Sequence, residues 1–442
     1  MIDQLPQRWA TAPFTSVFDI AGGTQPPKKT FRYESTEGYV RLLQIRDFGD
    51  KPVPTFIRST PNLKTCREDD ILIGRYGASV GRICTGMHGA YNVALTKVII
   101  PAALDRRFVF HLLRSPFFQN PILDIERSAQ NGFNKDDLAE IMLPIPPLNE
   151  QQRIVVKLEK LLGKAAAAQA RLRKIPVLLK RFRQSVVAAA CSGRLTVDWR
   201  EKTGTTLAAW QRTSVKQVTD KIEYGYTASA KRAASGPRFL RITDIQDGRV
   251  AWENVPTCDI THALSEKYAL KTGDIVFART GATTGKSFLI RDCPPAVFAS
   301  YLIRVQSRSD VLPEFLYLFF QTPEYWIAIS ENVAGNAQPN CNATKLGHLE
   351  FDLPPLAEQK EIVRRVEELF ALADQIEARY AKAKAYIDNL TQSILAKAFR
   401  GELVPQDLND EPASVLLERI KKQRNQGNSA KRKSNSAFLS AL

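Results

Sequence analysis

Residues 129–154, AQNGFNKDDLAEIMLPIPPLNEQQRI, return without a gap 208 positions later as residues 337–362, AQPNCNATKLGHLEFDLPPLAEQKEI. The same offset carries QSVVAAACSGRL (184–195) onto QSILAKAFRGEL (392–403). Toward the N-terminal side the copies drift but persist. RLLQIRDF from position 41 answers RFLRITDI from 238, and DDILIGRYGASVGR (69–82) answers GDIVFARTGATTGK (273–286). The period is far longer than the roughly 20–50 residues of solenoid repeats. Whatever this chain folds into, it folds into twice.

The second part of each copy has helical spacing. Ile154, Leu158, Leu161, Ala165, Ala168, Leu172, Ile175, Leu179, Phe182 and Val186 alternate steps of four and three. Ile362, Val366, Leu369, Ala373, Ile376, Tyr380, Ala383, Ile387, Leu390 and Ile394 do the same. An unbroken seam of this kind marks a coiled coil, and its natural partner is the matching seam of the other copy. Pro146-Pro147 and Pro354-Pro355 end the preceding segments, while Gly193 and Gly401 stand where a left-handed C-terminal cap is wanted. Pro176 is expected to kink or split the first helix. At 1.5 Å per residue, each 32-residue seam makes a rod roughly 48 Å long.

The first part of each copy is rich in strands and turns, with short helical stretches such as FVFHLLRSPFF and EFLYLFFQTPEYW. The expected fold class is therefore α+β: two mixed α/β domains separated and held by two long antiparallel coiled-coil helices, a pseudo-twofold internal duplication. The expected boundaries are a first domain at 1–146, a central helical spacer at 147–197 and a linker at 198–205. A second domain at 206–353, a C-terminal helical spacer at 354–405 and a basic tail at 406–442 follow. The tail is expected to begin with a short helix, PASVLLERIKKQR, and to decay into disorder.

Charge narrows the choice of partner. The 442 residues carry a formal net charge of +16. Residues 418–442 hold seven Lys/Arg against one Glu, so +10 remains on residues 1–417. A basic body calls for a polyanion. No apolar run approaches the roughly 20 residues of a membrane span, and MIDQLPQRWATAP lacks the pattern of a signal peptide. The six cysteines form no C-x-x-C pair, and no His stands at finger spacing, which supports neither a disulfide framework nor a metal site. A reducing cytoplasm with no membrane is the expected setting, and nucleic acid, such as double-stranded DNA, the expected polyanion.

One motif points elsewhere. ARTGATTGKS (278–287) follows the strand-like GDIVF and ends Gly-Lys-Ser, as a phosphate-binding P-loop does. Gly281 and Gly285 enclose three residues where that motif needs four, and the copy at GRYGASVGRI has Arg82 and Ile83 in place of Lys286 and Ser287. What the copies share is a strand, a turn and a basic tip. Two readings stay open for these loops. Either they are hairpins whose glycines serve positive φ, or Arg75, Arg82, Arg279 and Lys286, beside Ser79, Thr280, Thr283 and Thr284, contact DNA bases and phosphates. Gln130, Asn131, Gln338 and Asn340 are second-rank candidates, since amides read adenine. Gln44, Arg46, Tyr76, Arg241 and Thr243 complete the candidate DNA contacts. Glu358 in EQK has the E-x-K spacing of many nucleases, but it opens the helix and its copy is EQQ, so it reads as first-turn acid suited to the macrodipole. No catalytic residue and no metal ligand is expected.

Two globular domains, each followed by PPLxEQ and a long heptad helix, with LKRFRQSVV in the middle and NLTQSILAKAFRGEL near the end, resemble the specificity subunits of Type I restriction-modification systems. The resemblance spans nearly the whole chain and is most specific in the helices. It implies that each globular part is a target-recognition domain reading one half of a divided DNA site, and that the helices set the distance between halves. It implies a chain that catalyses nothing and holds no cofactor. Two methylation subunits using S-adenosylmethionine, and up to two motor-nuclease subunits using ATP and magnesium, would join it. Contacts with the methylation subunits are expected from Gln151, Gln184, Arg194, Gln359, Gln392 and Arg400. A free-standing DNA-binding or scaffold protein, or an enzyme built on GATTGKS, are the alternatives.

Overall fold

The computed structural model describes residues 5–128, 132–231, 236–246, 248–281, 283–333 and 341–439, side chains at 126–128, 331–333 and 427–439 excepted. The chain divides into two compact units, Met1–Leu172 with Lys382–Leu442, and Arg173–Ala381. In the first, strand Ala10–Pro13 pairs antiparallel with Met142–Ile145, joining the two ends of the globular part. Between them lies a four-stranded sheet in the order Asp19–Gly22, Leu95–Ile99, Leu72–Gly74, Ile83–Cys84. Leu72, Ile73 and Gly74 are all buried, which suits the unbroken apolar run of DILIG. A second sheet of four short strands contains one parallel pairing, Tyr39–Leu43 with Gly89–Tyr91.

The second unit repeats this plan. Gln211–Ser214 pairs with Glu350–Leu353. The four-stranded sheet runs Thr219–Tyr224, Leu302–Ser307, Ile275–Ala278, Ser287–Leu289, and Arg238–Leu240 pairs parallel with Ala296–Phe298. In both units two helices cover the sheet, Arg106–Arg114 with Pro116–Ser128 and Pro313–Phe319 with Pro323–Val333. Their buried rings, Phe108 and Phe118 in the first and Phe315, Phe320 and Tyr325 in the second, fill the cores.

The expected spacer helices are Leu148–Leu172, Ile175–Cys191 and Leu356–Phe399. The first copy is split where Pro176 enters the first turn of its second half, because proline has no N–H for the preceding turn to receive. Toward the ends of the spacers the seam is the face turned inward, whereas Ile376 near the middle is exposed. Ile154, Leu158 and Ala165 are buried in the first unit together with Ile394, and Leu179 and Val186 in the second with Ile362, Val366 and Ala373. Polar pairs show antiparallel order within each unit. Gln169 donates to Asp388 at 3.2 Å in the first, and Arg183 donates to Asp374 at 2.8 Å and Glu377 at 2.9 Å in the second. Gly193 and Gly401 follow the helix ends with φ of 73° and 77°.

Each helix start is fastened by a buried carboxylate. Glu358, 1% exposed, accepts from the Trp210 indole at 2.8 Å, the Thr196 hydroxyl at 2.7 Å and the Arg200 guanidinium at 2.5 Å. Glu150, equally buried, accepts from the Trp9 indole at 3.0 Å and the Gln406 amide at 2.7 Å. Glu358 stands in the first turn of its helix as expected, and it is buried there. It is the hub that joins the helix to the start of its own globular part and to the segment following the other spacer. Burial raises the Glu150 carboxyl, against the two hydrogen bonds, which lower it. Beside it, Arg153 donates to Asp410 at 2.6 Å and holds that carboxyl below its ordinary value.

Two expectations change. Residues 198–205, expected as a linker, carry the helix Val197–Thr203. The tail does not decay after a short helix: Ala413–Leu439 is one helix. Its first turns place Ala413, Leu416 and Ile420 at helical spacing into the first unit's core, and Arg424 donates to the Thr15 carbonyl at 2.8 Å.

Glu358→Ala strands a buried guanidinium and is expected to destabilise the second unit by about 3–5 kcal/mol. Glu150→Ala unpairs only neutral donors and is expected to destabilise the first by about 1–3 kcal/mol. Hydrogen exchange, which reads each unit separately, checks the difference. Because the folded Asp410 value lies below its ordinary 3.8, the Arg153–Asp410 contribution is complete above that pH and lost as pH falls through the lower folded value. Protection of amides 407–420 is expected to drop only in that acid range, and Asp410→Asn to lower it already at neutral pH.

Candidate nucleic-acid interface

The loops at 75–82 and 279–286 are tips of antiparallel hairpins, joining Leu72–Gly74 to Ile83–Cys84 and Ile275–Ala278 to Ser287–Leu289. A P-loop feeds its phosphate into the N-terminus of a helix. Here the element after Gly285 and Lys286 is a strand, so the shortened motif builds no phosphate cradle. Gly285, at φ 83°, lies so close to the helix Pro323–Val333 that a Cβ would sit 2.8 Å from Ile329. Its carbonyl accepts from the buried Tyr325 hydroxyl at 2.6 Å. Gly81, at φ 76°, is pressed equally close to Ile122, and its carbonyl accepts from Gln119 at 2.9 Å. The turn is a conformational requirement in both copies, and the basic residues stand on it.

Those residues divide into bound and available. Arg75 donates through Nε to the Phe133 carbonyl at 2.8 Å and lies 5.2 Å from the Tyr76 ring. Arg82 donates to the Phe48 carbonyl. Ser79 returns to the Tyr76 carbonyl at 2.7 Å, and Thr284 to that of Gly281 at 2.7 Å. Gln44 and Arg46 both donate to the Thr55 hydroxyl, at 3.3 and 3.4 Å. Arg279 stacks 4.8 Å from the Tyr224 ring, its Nε buried without a hydrogen-bond partner. Arg241 is paired within the fold. Two bonds to Asp244, at 3.0 and 2.7 Å, hold its guanidinium and raise its pKa. Thr280 and Lys286 are exposed, and Thr243, Thr283 and Lys286 come together around one groove. Gln130, Asn131, Gln338 and Asn340 lie outside the described residues.

The expected partner contacts also divide. Gln184, Arg194 and Gln392 are exposed, and Arg400 pairs with Glu402 at 2.6 Å. Gln151 and Gln359 are corrected, since both are buried and fully engaged inside the fold. Gln151 donates to the Pro146 carbonyl at 3.0 Å and accepts from the Asp105 amide at 3.2 Å. Gln359 donates to the Pro354 carbonyl at 2.9 Å and accepts from the Leu312 amide at 2.8 Å. Asp105 and Leu312 are the N-caps of Arg106–Arg114 and Pro313–Phe319, so each glutamine ties a spacer to a helix of its globular part. Sequence reasoning also passed over Trp9, Trp210 and Arg200. The signal available was a tryptophan near the start of each globular part.

Among the described residues no group of three or more His, Cys, Asp or Glu is placed to hold a metal ion, and no helix is long and apolar enough to cross a membrane.

Comparison with known proteins agrees with the duplicated architecture. The family model of the Type I restriction modification DNA specificity domain matches twice, at residues 6–176 and 210–384. The chain is 30% identical to the Type I restriction enzyme EcoKI specificity subunit of Escherichia coli K12, over 95% of this chain and 96% of that one. It is also 30% identical to the StySPI specificity subunit of Salmonella potsdam, with the same coverage. A solved structure concerned with complex assembly and conformational transition of the type I R-M system superposes with a TM-score of 0.70 at 21% identity, covering 90% of this chain and 99% of that one. The HsdS subunit of Thermoanaerobacter tengcongensis does so at 0.56 and 18%, covering 90% and 98%. These two likenesses concern the fold.

Tyr325→Phe removes the bond that holds the second hairpin to its helix. It is expected to cost about 1–3 kcal/mol and to speed hydrogen exchange at Thr284, Gly285 and Lys286. Unchanged exchange there would mean that the hairpin is held by packing alone.

Proposed function

This chain belongs to the Type I restriction-modification DNA specificity family, and we propose that its two globular parts read the two halves of one divided DNA target. It is a non-catalytic DNA-recognition chain, and its work is to hold two readers. The observation that carries this reading is the same scaffold built twice with different residues at the hairpin tips, Tyr76 and Arg82 in one and Thr280 and Lys286 in the other. Identical readers would demand a palindrome, whereas two different readers in one chain select an asymmetric target.

The hairpins at 75–82 and 279–286 face the duplex in this reading. The basic body holds phosphates on any sequence, and base contacts select the site. The helical pair sets the gap between halves, supported by its paired seams and by the buried glutamate at each helix start. Two methylation subunits bind the exposed helical segments around Gln184, Arg194, Gln392 and Arg400. They bring S-adenosylmethionine and expose the target adenine by flipping it. Up to two motor-nuclease subunits bring ATP and magnesium. The assembly works in the cytoplasm.

Mapping methylated positions in genomic DNA of cells expressing this chain with its methylation subunits tests the reading. The expected result is one motif in two parts separated by a fixed unspecified gap. Inserting one helical turn of about 5.4 Å into both spacers is expected to lengthen that gap by about 1–2 base pairs, given roughly 3.4 Å of rise per pair. An undivided motif would overturn the two-reader assignment, and an unchanged gap would overturn the spacing role of the helices.

A further inference from the structure

The two hairpins differ where two readers of different half-sites have to differ. Positions 82 and 286 are equivalent in the repeat, and so are positions 48 and 245. In the first unit the Arg82 guanidinium donates to the Phe48 carbonyl and bridges the space between hairpin and turn. In the second, Lys286 and Ile245 line a groove of about 510 Å³ that stays open. Its walls are largely apolar and aromatic, with Phe288, Tyr317 and Trp326 among them, and Trp326 is 36% exposed while its neighbour Tyr325 is fully buried. Gln321 donates to the Ser287 hydroxyl at 2.8 Å and Gln246 to the Thr243 carbonyl at 2.7 Å, so the polar groups around the rim are fixed.

Among the described residues that line this groove none is a carboxylate and Lys286 is the single cation, and among the described residues its ammonium has no carboxylate partner. We infer that this groove is a base-reading element of the second recognition domain, and that Lys286 donates in it to the N7 and O6 acceptors of a guanine in the second half-site. The inference rests on the reading of the chain as a two-part DNA reader. Lysine and arginine are the residues that meet this pair of major-groove acceptors. Once a base covers the groove and excludes water, the aromatic walls beside the ammonium strengthen such a bond beyond what an uncovered lysine gains on a phosphate. Fixed amides and threonine hydroxyls beside it add direction. Arg82 is turned by one of its nitrogens to a backbone carbonyl, so the two domains present different groups at equivalent positions.

Lys286→Ala and Lys286→Arg in the assembled methylation complex test this, with methylated motifs mapped in genomic DNA and binding measured on matched and single-substituted duplexes. Lys286 is exposed on a hairpin tip, so both variants retain the fold. With alanine, one guanine position in one half-site is expected to relax while the other half is unchanged, and affinity for the matched duplex to fall about 5- to 150-fold with non-specific binding nearly constant. Arginine is expected to keep the motif. An unchanged motif with alanine overturns the assignment. So does an equal loss on all sequences with a salt slope smaller by about one, which marks a phosphate contact. A wild-type complex that marks no divided motif overturns the functional reading itself, whereas a divided motif indifferent to Lys286 overturns the groove alone.

Discussion

The buried carboxylate at the start of each spacer helix sets the geometry on which everything else depends. Glu150 and Glu358 each lie where three segments of their unit meet: the start of the globular part, the start of the helix that leaves it, and the segment that follows the opposing spacer. A carboxylate taken out of water is tolerated only where its lone pairs are filled. The angle at which a helix leaves its globular part is therefore tied to the satisfaction of a buried charge. The adjacent glutamine adds a second tie, from the carbonyl of the first proline in each Pro-Pro pair to the N-cap of a globular-part helix. A chain that measures the distance between two half-sites needs such joints to be stiff, because slack at either end of a rod erases the measurement.

The two hubs reach this end by different electrostatics. In the second unit Arg200 neutralises Glu358 directly and also donates to the Gly193 carbonyl at 2.6 Å, closing the end of the first spacer. In the first unit no cation among the described residues is paired with Glu150. Neutral donors satisfy it, desolvation raises its pKa, and the nearest charges are sorted into the separate Arg153–Asp410 pair. Equivalent joints in a duplicated chain have thus diverged in chemistry while keeping their place, as expected if position is what selection holds.

Much of this was legible in the sequence, for reasons specific to the elements concerned. The seams from Ile154 to Val186 and Ile362 to Ile394 were legible because helix burial follows a fixed period and nothing in the globular parts interferes with it. The hairpin tips were legible because glycines at positive φ punctuate DILIG and DIVFA. The role of PPLxEQ was not. Glu358 read as a first-turn acid and Gln359 as a partner contact, since a local motif does not reveal that Trp210, about 150 positions away, comes back to cover it. The same holds for Arg200, which stands in a stretch that reads as linker, and for the final helix, whose apolar stripe of Ala413, Leu416 and Ile420 is too short to outweigh the polar residues after it.

Divergence between the copies follows the same division. Residues that seat the hairpins are chemically matched in the two units: Gly81 against Ile122 and Gly285 against Ile329, each with its carbonyl satisfied by a side chain of the covering helix. Residues above that seat are not. Arg82 is folded back onto Phe48, whereas Lys286 faces an open groove, and Arg279 lies on Tyr224 with its Nε unpaired where Arg75 is tied to Phe133. A rigid seat with a free rim lets one scaffold read two different half-sites, because changes at the rim leave the packing below untouched. Arg75 and Arg82 each donate to a backbone carbonyl, whereas Lys286 is exposed and Arg279 packs against Tyr224.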